Sequence, residues 1–103
     1  MIAVLFEADA VTAKQERYLE LAAELKPLLA DIDGFISIER FQSLATPGKI
    51  LSLSWWRDEA AIQTWKAHHL HRAAQTEGRN EIFAFYRIRI ARLEREYSSE
   101  SRG

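Results

Sequence analysis

Residues 35–56 read FISIERFQSLATPGKILSLSWW. Two runs of period-two alternation flank a turn signal, Thr46-Pro47-Gly48-Lys49. Proline presets φ at the second position of such a turn, and glycine supplies the positive φ of the third. The pattern predicts strands from Phe35 to Phe41 and from Ile50 to Trp56, paired as an antiparallel hairpin. In the first strand Ile36 and Ile38 share a face, with Phe35, Ser37 and Glu39 on the other. In the second, Leu51, Leu53 and Trp55 share one face; Ile50, Ser52, Ser54 and Trp56 share the other.

Working outward, IAVLFE (2–7) is a short apolar run that predicts a buried strand. Thr12 and Gln15 fit a helix capping box. Tyr18, Leu21, Ala22, Leu25, Leu28, Leu29 and Ile32 then recur at helical spacing. Pro27 lies inside that stretch, which predicts a kink or a short second segment. Asp33-Gly34 predicts the stop. Downstream, Asp58 can cap a helix through Trp65, with Ala61, Ile62 and Trp65 on one face. Residues 68–75 predict a second short helical piece ending near Gly78. The last strand is Ile82 to Leu93, with Tyr86, Ile88 and Ile90 on one side and Phe85, Arg87 and Arg89 on the other. The order is βαββαβ. It predicts an α+β, ferredoxin-like domain over residues 1–97, with a polar tail over 98–103. Helices on one face of a four-stranded antiparallel sheet leave the other face bare. Two such sheets packed face to face would cover both, so a homodimer enclosing an α/β barrel is expected.

Composition narrows the function classes. The 103 residues carry 14 basic and 15 acidic side chains, for a net charge of −1. That balance gives no basic excess for nucleic acid or an anionic membrane. With no cysteine there is no disulfide framework and no thiolate metal site. The first residues lack the charged start and long apolar core of a signal peptide, so a cytoplasmic location is expected.

Four groups of residues could carry chemistry. Trp55, Trp56 and Trp65 either pack the core or wall a pocket for an aromatic molecule, with Trp65 and Trp56 the wall candidates. His68 and His71 are three apart, suit one helix face, and titrate where proton transfer is useful. With His69 they lack a carboxylate at metal-ligand spacing, so no metal is expected. Glu7 and Glu39 sit within apolar strands. Each is a general base with a raised pKa or a paired structural charge, the partner an arginine of the last strand. Tyr86 could orient a substrate oxygen, while Arg87 and Arg89 suit a surface or dimer contact.

Gly34-Phe35, the Pro-Gly turn, LSLSWW (51–56), DEAAIQTW (58–65), KAHHLHRAAQ (66–75) and FYRIRIARLEREY (85–97) together resemble the antibiotic biosynthesis monooxygenase (ABM) family. The resemblance implies a dimeric α/β barrel with a pocket between helices and sheet in each protomer. It implies oxygenation of a small phenol- or quinol-type aromatic without metal, flavin or haem, or else haem binding and degradation. The haem-degrading branch carries an Asn on the first strand, a Trp on the second helix and a His ten residues later. Here the Trp matches at Trp65, the strand position falls at Glu7 and the His position at Gln75. Glutamine is not a usual haem-iron ligand. Under the oxygenase reading Trp65 and Trp56 wall the cavity, His71 or His68 takes the proton and Tyr86 orients the substrate. A non-catalytic small-molecule-binding dimer is the third reading. Sedimentation equilibrium should return twice the chain mass; a monomer mass that does not change with concentration would refute the dimer.

Overall fold

The structure is a computed structural model. It describes residues 1–10 and 12–100, apart from the side chains of Thr12, His69 and Leu70. Strand β1 (Ile2–Ala10) leads through a 3-10 turn (Thr12–Lys14) into α1 (Gln15–Ala30). Then come β2 (Phe35–Gln42), β3 (Lys49–Trp56), α2 (Glu59–Ala67) and α3 (His69–Glu77). A π-helical turn (Gly78–Ile82) passes into β4 (Phe83–Arg92). The strands form one sheet in the order β2-β3-β1-β4, every neighbouring pair antiparallel. This is the ferredoxin-like arrangement expected from the element order.

Local chemistry explains most boundaries. Asp58 caps α2, its carboxylate accepting from the Ala61 amide at 3.0 Å. After α1, Gly34 takes φ +94°, and the amide of Phe35 closes the turn onto the Ile32 carbonyl at 3.1 Å. At the β2–β3 turn Gly48 takes φ +84°. Arg17 on α1 holds Glu77 at the end of α3 through two hydrogen bonds of 2.6 and 3.0 Å.

Two expectations change, and one falls on atoms outside those described. α1 runs as one helix through Pro27. The carbonyl that loses its donor belongs to Ala23, and both residues are exposed, so water can replace the missing bond. α1 begins at Gln15 behind Lys14, which makes no side-chain cap; the Thr12 hydroxyl of the expected capping box lies outside the described atoms. The register of β2 against β3 slips between Phe35 and Ser37. That irregularity breaks the alternation, so Phe35 and Ile38 both pack against the core while Ile36 is 51% exposed. The end of the polar tail, residues 101–103, also lies outside the described residues.

The core lies between helices and sheet. Ile2, Leu29, Trp56, Ala61, Ile62 and Trp65 form its larger cluster, and Ala10, Tyr18 and Ile82 a smaller one at the other end. Among the described residues no helix covers the opposite sheet face, where Leu5, Leu51, Leu53 and Trp55 are half-buried. Gly34 fixes how α2 meets the sheet, since a Cβ there would stand 2.7 Å from the Cβ of Ala61. Gly34→Ala adds that clash to a disfavoured positive φ. It should cost about 1–3 kcal/mol, read as a lower urea midpoint.

Candidate functional site

A cleft of about 380 Å³ opens between the helices and the sheet. Strand register builds its floor. One row across the sheet is Ile38, Ser54, Val4 and Ile90; the next is Arg40, Ser52, Phe6 and Ile88. Ser52 and Ser54 are buried beneath an otherwise apolar surface, so each needs a partner. The Ser52 hydroxyl meets the Tyr18 hydroxyl at 3.2 Å, and the Trp56 indole N–H donates to Ser54 at 2.9 Å. Both serines therefore hold aromatic side chains in place.

Two aromatic groups wall the space. Phe83 lies 5.4 Å from both Phe6 and Tyr18, ring centre to ring centre, and 6.2 Å from Tyr86. Trp65 and His71 form the other, with ring centres 4.7 Å apart. Burial, and then the nearby His68 and Lys66, push the His71 pKa down from 6.5 to about 4. The imidazole is therefore neutral at physiological pH, with a nitrogen able to accept a proton.

The structure brings together Trp65, Trp56, His71, Gln75 and Tyr86 as cleft-lining residues. His68 is placed differently. Its backbone is extended (φ −65°, ψ 127°) at the junction of α2 and α3, so the shared helix face inferred from its spacing to His71 does not exist. Its ring still lies 5.5 Å from Trp65, but it does not line the cleft. Glu7 and Glu39 lie on the opposite sheet face, as their register with Leu51 and Leu53 requires. Glu7 is bound by Arg87 at 2.8 Å and Lys49 at 3.0 Å, with Arg89 at 3.6 Å. Hydrogen bonds from Lys49 and Arg87 lower its pKa, the reverse of what a general base in this cleft needs. It borders a separate hollow of about 330 Å³ on that face. Among the described residues no three His, Asp or Glu side chains gather to hold a metal.

Sequence reasoning missed Tyr18, Ser52, Ser54 and Arg40. For Arg40 the signal was present: it stands two positions after Ile38 and so shares its face. Alternation puts Ser52 and Ser54 on the face of Trp56, but nothing local says that the helices cover that face.

The model for antibiotic biosynthesis monooxygenase matches residues 1–77. A Pyricularia oryzae protein, jasmonate monooxygenase ABM, is 42% identical over 93 residues, covering 90% of this chain and 43% of that protein. The Bacillus subtilis protein YqjZ, uncharacterized, is 32% identical over 79 residues, covering 77% of this chain and 68% of its own length. The chain thus spans less than half of the Pyricularia relative. Among solved structures, one from Mycobacterium tuberculosis superposes with TM-score 0.83 at 13% identity, covering 94% of this chain and 98% of that one. A crystal structure of an antibiotic biosynthesis monooxygenase gives TM-score 0.79 at 15% identity, covering 92% and 100%. At those identities the likeness concerns the fold.

Because folding lowers the His71 pKa, the unfolded chain binds more protons between about 4 and 6.5. His71 therefore makes stability rise with pH across that window and fall as pH drops through it. An NMR titration should place the imidazole midpoint near 4, and His71→Gln should flatten the pH dependence of the urea midpoint over the same range.

Proposed function

We propose that this chain, which belongs to the antibiotic biosynthesis monooxygenase family, uses its helix–sheet cleft to oxygenate a small phenol- or quinol-type aromatic with O₂ and no metal, flavin or haem. The observation that carries the reading is the Trp65–His71 pair: a neutral, half-buried imidazole against an indole face, opening on an apolar cleft. The Pyricularia relative is named for jasmonate; only the class of reaction is carried over from it.

The substrate itself supplies the electrons. A phenol that loses its proton can pass an electron to O₂, and recombination of the two radicals forms the C–O bond. Loss of water then leaves a quinone: phenol plus O₂ gives quinone plus water, with one oxygen atom in each product. The protein's tasks are to take the proton, exclude water and hold the ring. His71 is a weak base where it stands. A substrate oxyanion forming beside it favours the imidazolium, and the Trp65 face stabilises that cation further. Tyr86 can orient the substrate oxygen from the β4 side.

Gln75 lines the cleft where the haem-degrading branch has its histidine, which weighs against iron ligation there. For assembly, we propose a homodimer that packs the half-buried face of Leu5, Leu51, Leu53 and Trp55 against its copy. Among the described residues no helix is long and apolar enough to cross a membrane.

An oxygen electrode with a panel of phenols and quinols tests the reaction, and ¹⁸O₂ should place one label in the product. His71→Asn should lower kcat by about a hundredfold or more. Wild-type oxygen uptake by a His68→Asn, His71→Asn double variant would remove both imidazoles from the mechanism. A Soret band on titration with haemin would favour the haem reading.

A further inference from the structure

Among the described residues, Arg40 is the one charged side chain that the strands contribute to the cleft lining. It is partly buried, its Nε is shielded from solvent, and that Nε has no hydrogen-bond acceptor. Among the described residues its guanidinium makes no ion pair. Lys49, Arg87 and Arg89, by contrast, surround Glu7 on the far face. Leaving a desolvated donor unpaired is costly, so such a group is either an uncorrected defect or a group held ready for a ligand.

The rest of the cleft distinguishes these. Lys66 and Arg79 also border it, and no aspartate or glutamate among the described residues does, although the chain has 15. A cleft lined by one sign of charge focuses its field and draws in the opposite sign. The floor is polarised as well. Arg40 stands on the edge strand β2, while Phe6, Ile88, Val4 and Ile90 carry the apolar surface across β1 to β4 at the other edge. Three strand spacings separate Arg40 from Ile88, roughly 14 Å.

We infer that the cleft takes an organic anion, an apolar body ending in a carboxylate, with Arg40 as the residue that recognises the carboxylate. The Nε and the adjacent Nη of a guanidinium make a two-pronged edge that matches the two oxygens of a carboxylate. The apolar body then lies over Phe6 and Ile88 toward β4, placing its far end among Phe83, Tyr86 and the Trp65–His71 wall. Lys66 and Arg79 act at the rim, where they raise the local concentration of anions. The inference deepens the proposed function and rests on its reading of the cleft as the substrate site. It adds that specificity is set at the β2 edge, away from the imidazole.

Two probes of one shape, 4-phenylbutanoate and 4-phenylbutanamide, separate charge from fit. Binding is followed by quenching of the cleft tryptophans, on wild type, Arg40→Met and Arg40→Lys. Wild type should bind the acid about tenfold to a hundredfold more tightly than the amide. Arg40→Met should bring the acid down to the amide, leave amide affinity unchanged, and have a urea midpoint at or above wild type because an unpaired donor is gone. Arg40→Lys should keep part of the preference, and added salt should weaken the acid only. Equal affinity for acid and amide in wild type overturns the inference, as does an undiminished preference in Arg40→Met. Loss of both ligands together in Arg40→Met would show Arg40 to be structural and overturns it too. The two levels separate cleanly. Acid preference lost with Arg40, without oxygen uptake on any acidic or neutral phenol, sustains the anion site and refutes the oxygenase. Oxygen uptake on neutral phenols that is indifferent to Arg40 and to an added acid group sustains the oxygenase and refutes the anion site.

Discussion

Everything in the site depends on which way β3 faces. Its residues alternate strictly, and the covered face is the one bearing Ser52, Ser54 and Trp56. A slip of one residue would exchange them for Leu51, Leu53 and Trp55. Tertiary contacts oppose the slip: Ser52 meets the Tyr18 hydroxyl of α1, and Trp56 packs in the core with Ile2 and Leu29. Two positive-φ glycines bracket β2 and place β3 beside it, so the hairpin and the approach of α2 are set together.

The same alternation divides the charges. Carboxylates on the strands go to the far face, where Glu7 gathers three cations into an ion-pair group. The cleft face keeps an arginine without a counter-charge, a neutral imidazole and two aromatic walls. Low dielectric strengthens each polar group left there. It lowers the basicity of His71.

The break at His68 does similar work on the helical layer. A continuous helix from Glu59 to Glu77 would have kept His68 and His71 on one face. The extended residue between α2 and α3 redirects the chain instead, so that of His68 and His71 the latter borders the cleft and both rings flank Trp65. Beyond it, Arg17 holds the end of α3, and the π-helical turn lets Gly78 lie against Phe83, where a Cβ would stand 2.6 Å from the ring. Irregular backbone here sets the shape of the cavity.

Element order, strand alternation, the Asp58 cap and the glycine turns were legible in the chain itself, because each is a local rule read over a few residues. So was the stretch that walls the site, from Trp56 to Gln75, since aromatic and imidazole side chains cluster there. The family was legible too, through motifs spanning most of the length. The identity of the covered face was not. Alternation says which residues go together and is silent on which set meets the helices. Hence alternation alone leaves Glu7 and Glu39 open as bases and does not single out Arg40. The fate of Pro27, the slip near Phe35 and the break at His68 were equally hidden, because hydration of one carbonyl, an extra residue in a ladder and a helix junction are decided by long-range packing. Sequence alone determined a ferredoxin-like domain with an aromatic site. Only the tertiary structure decided that the site is lined by cations, with its carboxylates turned away, because that follows from burial, and burial depends on contacts far apart in the chain.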